Sequence, residues 1–123
     1  MALISKPLTQ IILYIKDMGA EVHFYHDVLG LPIRYPTGLS DYSREMWVEL
    51  ETGDCTLALH GGEQEQPDTQ HEILFEVEDG EAARGAIIAA GIEMMPTHIL
   101  EDGAPVAEGT DPAGHRFAIR GSD

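Results

Sequence analysis

The chain has few basic residues, one cysteine and no long hydrophobic run. Its 123 residues include a single cysteine, Cys55, which excludes an internal disulfide and fits a reducing compartment. Cys55 lies in an apolar stretch, so we interpret it as a small buried side chain rather than a nucleophile. No stretch approaches the roughly 18 apolar residues of a membrane span, and the start, MALISKPLTQ, is too short and too polar for a signal peptide. We therefore expect one cytoplasmic domain, residues 1–123.

Basic residues are scarce: 7 lysines and arginines stand against 22 acidic residues, for a formal charge of −15. This charge repels phosphates and anionic lipids, which excludes nucleic acid and membrane surfaces as expected partners. Two interpretations remain, an acidic surface suited to a saline cytoplasm or the attraction of a cationic ligand. Scattered acids such as Glu63, Glu65 and Asp68 resemble solvated surface and favour the first.

The first half of the chain predicts a strand, a helix and three further strands. The run QIILYI reads as a buried strand, and Asp17 offers an N-cap for a helix that ends at Gly30. The three strands that follow are predicted in LPIRYP, REMWVELETG and DCTLALHGG, the last two joined by a turn around Gly53 and Asp54. The polar segment EQEQPDTQ then predicts a linker.

The same order recurs after the linker. A strand of alternating type, HEILFEVED, precedes an alanine-rich helix that ends at Gly91. The remaining strands are predicted in IEMMPTHIL, in one part of the turn-rich EDGAPVAEGTD, and in PAGHRFAIRG. The chain therefore predicts two βαβββ modules, residues 8–62 and 70–121, whose glycine stops are equivalent points.

A doubled βαβββ unit with FYHDVLGL at the first helix end and DPAGHRFAI at the last strand resembles the vicinal oxygen chelate superfamily. That superfamily includes glyoxalase I, methylmalonyl-CoA epimerase, extradiol dioxygenases and bleomycin-resistance proteins. The resemblance extends from about Leu8 to Arg120. It implies an α+β fold in which the two modules form a curved, partly open mixed sheet around a cleft, and it implies a homodimer, because small members complete their clefts by pairing.

The resemblance also implies where a metal ion would be held, with one ligand in the first strand and one in the last strand of each module. Carried onto this chain, these positions are Gln10, Ala58, Glu72 and Ala118. Alanine has no donor atom, so two of the positions are chemically empty. One amide and one carboxylate would bind a divalent ion weakly. We therefore expect neither a metal nor another cofactor.

Other side chains could replace the missing ligands. His60 follows Ala58 by two residues and should share its face of the strand, which would combine it with Gln10 and Glu72. A register shift of one residue would bring in His71 instead, because such a shift turns every side chain to the other face. His115, after the DPAG turn, has the opposite parity from Ala118. The alternative for His60 is a strand-end histidine that bonds locally.

Alternation along the strands predicts which side chains face the cleft. The face should be mixed in character, with aromatic, acidic, basic and small residues, as small-molecule sites require. The predicted ligand-binding residues are Gln10, Tyr14, Trp47, His60, Glu72, Arg116 and Arg120. A second interpretation pairs the two arginines with Glu72 and Glu76 across neighbouring strands. As a general base, Glu72 would need a raised pKa, which the arginines would oppose.

The favoured function is a metal-free protein that sequesters a small molecule, like the drug-resistance members of the superfamily. The alternative is a metal-dependent lyase, isomerase or dioxygenase that uses Gln10, His60 and Glu72. A third option is partner binding through the open edge of the sheet.

Overall fold

The computed structural model describes residues 7–62 and 71–121, and the predicted linker, EQEQPDTQ, lies outside them. The elements of the first unit are β1 (Gln10–Tyr14), α1 (Met18–Val22) with a π-helical continuation (His23–Val28), β2 (Ile33–Tyr35), β3 (Trp47–Glu51) and β4 (Thr56–His60). Those of the second unit are β5 (Glu72–Val77), α2 (Gly80–Ala89), β6 (His98–Ile99), β7 (Pro105–Thr110) and β8 (Arg116–Gly121). This order confirms the repeated βαβββ pattern.

The strands form two four-stranded sheets with equivalent strand orders, β1-β4-β3-β2 and β5-β8-β7-β6. In each sheet the first and last strands of the unit pair in parallel, and the other pairs are antiparallel. The sheets are therefore mixed, as expected, and they are not closed into a barrel. Parallel pairing of β1 with β4 requires a crossover connection, which the helix and the two intervening strands supply.

The first helix begins at the predicted cap, Asp17, and both helices end at the predicted glycines. The carboxylates of Asp17 and Asp79 accept hydrogen bonds from backbone N–H groups three residues ahead, each at 3.0 Å, and so cap the helix N-termini. Gly30 and Gly91 follow the two helices with φ angles of 82° and 93°. Glycine adopts this left-handed conformation at little cost, so each helix stops there.

The first helix departs from the prediction of one continuous α-helix, because its second half is a π-helix. The backbone N–H of Leu29 donates to the carbonyl of Phe24, five residues earlier, at 2.9 Å. The wider turn accompanies the burial of two large neighbours in the sequence, since Phe24 and Tyr25 are both buried. An α-helical turn would separate adjacent side chains by about 100° and make this harder.

The predicted strand in IEMMPTHIL is reduced to β6 and one isolated bridge between Met94 and Gly109. Pro96 lies between these two contacts and cannot donate a ladder hydrogen bond. The segment nevertheless runs antiparallel beside β7 at close range, with the Met95 N–H donating to the Glu108 carbonyl at 2.8 Å. A Cβ atom added to Gly109 would lie 2.6 Å from Met94 Sδ and 2.9 Å from the Glu93 carbonyl oxygen.

One hydrophobic core joins the two units. The rings of Phe24 from the first unit and Phe117 from β8 have centroids 5.0 Å apart, and Tyr25 lies 6.2 Å from Phe75 of β5. The helix of the first unit therefore packs on the sheet of the second. The described residues contain no helix with the length and apolar character needed to span a lipid bilayer.

A buried polar cluster lies at this same junction. The hydroxyl of Tyr25 donates to Asp111 Oδ2 at 2.7 Å, and the N–H groups of Ala113 and His115 donate to Asp111 Oδ1 at 3.0 and 2.8 Å. Glu21 is also buried, and within the described part of the chain neither of its carboxyl oxygens has a hydrogen-bond partner of good geometry. Burial and the neighbouring Asp111 carboxylate raise the pKa of Glu21 to about 9. Glu21 is therefore a neutral acid at pH 7.

Candidate functional site

The predicted binding residues lie on the open face of each sheet, the face that points away from the shared core. Strand register arranges these residues in rows, where a row is a set of residues opposite one another on adjacent strands. The three rows of the first sheet, taken over β1, β4 and β3, are Tyr14–His60–Trp47, Ile12–Ala58–Glu49 and Gln10–Thr56–Glu51. The corresponding rows of the second sheet, over β5, β8 and β7, are Glu76–Arg120–Val106, Leu74–Ala118–Glu108 and Glu72–Arg116–Thr110.

Tyr14, His60 and Trp47 form an aromatic row across three strands. The ring of His60 lies between the other two, with centroids 5.2 Å from Tyr14 and 5.8 Å from Trp47. Tyr14 is 53% exposed. A half-exposed row of rings offers apolar contact to a ligand and, at its centre, the polar atoms of an imidazole.

The hydrogen bond of His60 fixes its tautomer. Nδ1 of His60 lies 2.8 Å from the carbonyl oxygen of Gly61. A carbonyl only accepts, so Nδ1 carries a proton and Nε2 of the neutral ring is an acceptor. Within residues 7–62 and 71–121, Nε2 has no hydrogen-bond partner. The local bond expected of a strand-end histidine is therefore present, and it leaves the second nitrogen available.

Glu49 holds the indole of Trp47. The Trp47 Nε1–H donates to Glu49 Oε2 at 2.8 Å, while Arg34 Nη1 contacts Glu49 Oε1 at 2.5 Å. The indole hydrogen bond, and after it the arginine, lower the pKa of Glu49 below its usual range. Arg34 also contacts Glu51 Oε1 through Nε at 3.1 Å. The carboxylate is thus ionised and bonded through both oxygens.

The second sheet places a pair of carboxyl groups around one arginine. Arg116 Nη2 lies 3.2 Å from Glu72 Oε2 and 3.3 Å from Glu108 Oε2. A hydrogen bond with Glu108 raises the pKa of Glu72, and the same bond lowers the pKa of Glu108. The expectation that arginines would lower the pKa of Glu72 was therefore incomplete. Arg116 does act in that direction, but the second carboxylate outweighs it.

The two arginines have different partners. Arg116 contacts Glu72, as the pairing interpretation predicted. Arg120 lies opposite Glu76 in the register, but its Nη2 hydrogen-bonds to Asp102 Oδ2 in the loop before β7. The expected pairing of Arg120 with Glu76 is therefore wrong, because the carboxylate of Asp102, in the loop before β7, binds the guanidinium instead.

The middle rows of the two sheets repeat the same chemistry. Each contains a branched aliphatic residue, a buried alanine and a glutamate, namely Ile12–Ala58–Glu49 and Leu74–Ala118–Glu108. Both alanines are 0% exposed. The carboxylate of each unit therefore stands on the third strand of the unit, beside the position where the resemblance placed a metal ligand on the fourth.

The residues at the implied metal positions do not fit a divalent ion. Ala58 and Ala118 supply no donor, Glu72 is bonded to Arg116 and Glu108, and Gln10 Nε2 donates to Thr56 Oγ1 at 3.0 Å. Across residues 7–62 and 71–121, no group of three or more His, Cys, Asp or Glu side chains is arranged to hold a metal ion. A guanidinium beside the remaining carboxylate competes directly with a cation for its oxygens.

The alternative ligand set is also unfavourable in this register. Gln10 pairs with Thr56, whereas His60 pairs with Tyr14 at the other end of the same ladder. Four residues of strand separate the two pairs by roughly 13 Å, and side chains stand nearly perpendicular to a sheet. One ion could not be held by both residues of one chain at ordinary coordination distances. His115 is engaged elsewhere, since its Nε2 donates to the Tyr14 carbonyl at 2.9 Å.

Two open grooves adjoin these rows. A groove of about 930 Å³ beside β7 has apolar walls that include Met94 and Met95, and Glu108 and Arg116 also line it. A smaller, polar groove of about 400 Å³ at the edge of the first sheet is lined by Gln10, Arg34 and Glu51, among others. Volumes of this size suit small organic molecules rather than macromolecules.

The sequence interpretation missed two contributors, Glu108 and Arg34. Glu108 lies in PVAEGT, whose proline and glycine are unfavourable in strands and made β7 difficult to predict. Alternation along this segment nevertheless puts Glu108 on the same face as Val106 and Thr110. Arg34 lies in β2, a strand of three residues that is too short for parity to be read.

Comparison with known families gave one match that covers most of the chain. The model of the Glyoxalase/Bleomycin resistance protein/Dioxygenase superfamily matches residues 8–119. A search of curated protein sequences found no significant match.

Solved structures with the same fold include proteins with different names and roles. A lactoylglutathione lyase from Agrobacterium tumefaciens is 21% identical with a TM-score of 0.69, over 95% of this chain and 96% of that one. TnmS3, an antibiotic binding protein from Streptomyces sp. CB03234, is 14% identical with a TM-score of 0.75, over 99% of this chain and 100% of that one. The fosfomycin resistance protein FosX from Mesorhizobium loti is 17% identical with a TM-score of 0.73, over 98% of this chain and 95% of that one. At these identities the likeness concerns the fold alone.

Proposed function

The chain belongs to the Glyoxalase/Bleomycin resistance protein/Dioxygenase superfamily, and from this premise we propose that it binds a small molecule on the open faces of its sheets without the usual metal ion. The observation that supports the proposal most directly is the pair of alanines at two of the four implied metal positions, 58 and 118. At the other two positions, the carboxyl group of Glu72 is bonded to Arg116 and the amide of Gln10 is hydrogen-bonded to Thr56. The fold alone does not decide between lyase, resistance and binding roles.

The proposed binding residues are those expected from the sequence, Gln10, Tyr14, Trp47, His60, Glu72, Arg116 and Arg120, with Glu49 and Glu108 added. The open faces carry exposed apolar side chains, including Ile12 at 41% and Leu74 at 49% exposure. Such side chains are covered when a ligand or a second copy of the chain is bound. We therefore also propose a homodimer acting in the cytoplasm, in which pairing narrows the open faces into clefts.

Metal binding is the first test. Untagged protein should carry no stoichiometric metal, and titration with nickel, zinc, manganese or iron(II) should leave the melting temperature unchanged. A metal that binds the native state tightly would raise that temperature with concentration. The measurement is elemental analysis followed by thermal melting.

Glu72→Ala is the diagnostic variant for this test, and Glu76→Ala, on the same face of the same strand, is its matched control. A stoichiometric metal lost in Glu72→Ala and retained in Glu76→Ala would contradict the metal-free proposal. It would favour the alternative of a metal-dependent lyase, isomerase or dioxygenase.

A further inference from the structure

The aromatic row carries an inference about the class of ligand, and this inference rests on the proposed binding function. Tyr14, His60 and Trp47 come from three adjacent strands, and register holds them side by side. The planes of the Tyr14 and Trp47 rings are tilted by 37° and 84° from the plane of the His60 ring, so a flat molecule can stack on one ring of the row and meet the next ring at its edge. Rigid aromatic surfaces bind flat aromatic molecules by stacking, with little loss of conformational entropy.

Two side chains, Glu49 and Arg34, hold the indole of Trp47 in its orientation. Its indole N–H is bound by Glu49, and Arg34 in turn holds the other oxygen of that carboxylate. The connected side chains Arg34, Glu49 and Trp47 lie on two adjacent strands, β2 and β3. Because both Glu49 oxygens are occupied, Glu49 acts on a ligand through the orientation of the indole. Glu49 and Arg34 are therefore positioning residues.

Hydrogen bonding and charge narrow the ligand class further. Nε2 of His60 accepts, since Nδ1 donates to Gly61, so a bound molecule can donate an N–H or O–H to it. Beside the row, Glu49 and Glu51 share the single guanidinium of Arg34, which leaves excess negative charge. The whole chain carries −15 as well. Anions are therefore disfavoured.

From these observations we infer that the Tyr14–His60–Trp47 row is a stacking site for a planar aromatic molecule, neutral or cationic, that donates a hydrogen bond to His60 Nε2. The site recognises three properties of the ligand together: a flat ring, a donor at its edge, and the absence of negative charge.

The chain offers a direct reporter, because Trp47 is its only tryptophan. The probe is 2-aminobenzimidazole, a planar aromatic base with N–H donors. Its control is cyclohexylguanidine, a cation with similar donors and no aromatic ring. We expect 2-aminobenzimidazole to quench Trp47 emission saturably and to give the same Kd by calorimetry. We expect cyclohexylguanidine and the anion 1-naphthoate to bind at least roughly tenfold more weakly.

Variants separate stacking from hydrogen bonding. Trp47→Leu should raise the calorimetric Kd of 2-aminobenzimidazole roughly tenfold. His60→Phe keeps a ring and removes the acceptor, so it should raise Kd about fivefold. Ile99→Ala removes an exposed apolar side chain of β6, in the other sheet, and should leave Kd unchanged. Each variant is first shown to melt cooperatively.

The positioning role of Glu49 is tested separately, through Trp47 emission and the Kd of 2-aminobenzimidazole. Glu49→Leu should shift Trp47 emission and raise Kd, whereas Glu49→Gln, whose amide oxygen still accepts the indole N–H, should restore both. A merely structural role of Glu49 would change stability and leave emission and Kd alone.

Three results would overturn the inference. One is the absence of saturable quenching by 2-aminobenzimidazole at millimolar concentration. Another is equal affinity of the wild-type protein for cyclohexylguanidine. The third is a dimer whose dissociation on dilution shifts Trp47 emission while the probe fails to bind either form, since the row would then be covered by a second copy.

The proposed binding function fails in a distinguishable way. It fails if no compound of a chemically mixed set, aromatic or aliphatic, raises the melting temperature. If aliphatic compounds do raise it and Trp47→Leu leaves those shifts intact, binding on the open faces stands and only the stacking inference falls.

Discussion

Replacing Glu21 by glutamine is expected to stabilise the protein increasingly as the pH rises from 5 to 9. The pKa of Glu21 is raised from 4.5 to about 9 by burial and by Asp111, so at neutral pH the wild-type chain must take up a proton to fold. A raised folded-state pKa gives stability that is fully present below the unfolded pKa of about 4.5 and is lost as the pH approaches 9. Glutamine is neutral at every pH and escapes this loss.

The expected gain in stability has a definite magnitude and a definite dependence on pH. The difference in free energy of unfolding between Glu21→Gln and wild type should be small at pH 5. It should grow by roughly 1 kcal/mol per pH unit and reach roughly 2–4 kcal/mol by pH 8. Chemical denaturation of both proteins across this range measures it. Using the difference removes the contributions of the other acids, which the two proteins share.

Glu101→Gln is the matched control, because it makes the same substitution at an exposed position. Its difference from wild type should stay flat with pH. A flat difference for Glu21→Gln as well would show that Glu21 is ionised in the folded protein and that the junction between the two units tolerates the charge.

Substitution of Gly109 by alanine is expected to destabilise the protein by roughly 2–3 kcal/mol. The added Cβ would lie 2.9 Å from the Glu93 carbonyl oxygen, 2.6 Å from Met94 Sδ and 3.2 Å from Phe117 Cζ. The methionine end can move, but the backbone oxygen belongs to a segment that is hydrogen-bonded alongside β7, and Phe117 is buried. This segment or the ring must therefore shift. Urea denaturation measures the loss.

Gly85→Ala provides the opposite control within the same unit. Gly85 lies inside α2, and a Cβ there meets no atom within 4 Å. Alanine should stabilise the helix by roughly 0.5–1 kcal/mol, because it restricts the unfolded chain more than glycine does. Equal effects of the two substitutions would contradict the close approach described at Gly109.

Much of the fold could be predicted because its signals are local. Asp17 and Gly30 mark the ends of the first helix by side-chain capping and by backbone conformation, and both act within a few residues. Alternation in HEILFEV predicts which face of that strand is buried, since a shift of one residue would expose the apolar set. The π-helical segment could not be predicted in this way. It accompanies the burial of Phe24 and Tyr25 against the second unit, and that unit is distant in sequence.

The candidate site could likewise be predicted only where its signals are local. Parity predicted that Tyr14, Trp47 and His60 share a face, and strand pairing then brought them into one row. Parity could not predict that Arg120 bonds to Asp102, because the position of a loop carboxylate depends on how the loop folds back. Nor could it predict the effect of Glu108 on Glu72, since β7 was obscured by its proline and glycine.

The parallel pairing of the outer strands has a consequence for how the chain reaches this structure. Gln10 and Thr56, on β1 and β4, are 46 residues apart, and Glu72 and Arg116, on β5 and β8, are 44 apart. Each sheet must therefore close a long loop before its parallel ladder forms, a topology that slows folding. During synthesis the first unit also cannot complete its core until the second unit is made, because Phe24 packs on Phe117. The ribosome must release β8 before either helix has its complete packing surface, so the two repeated units should fold as one kinetic event.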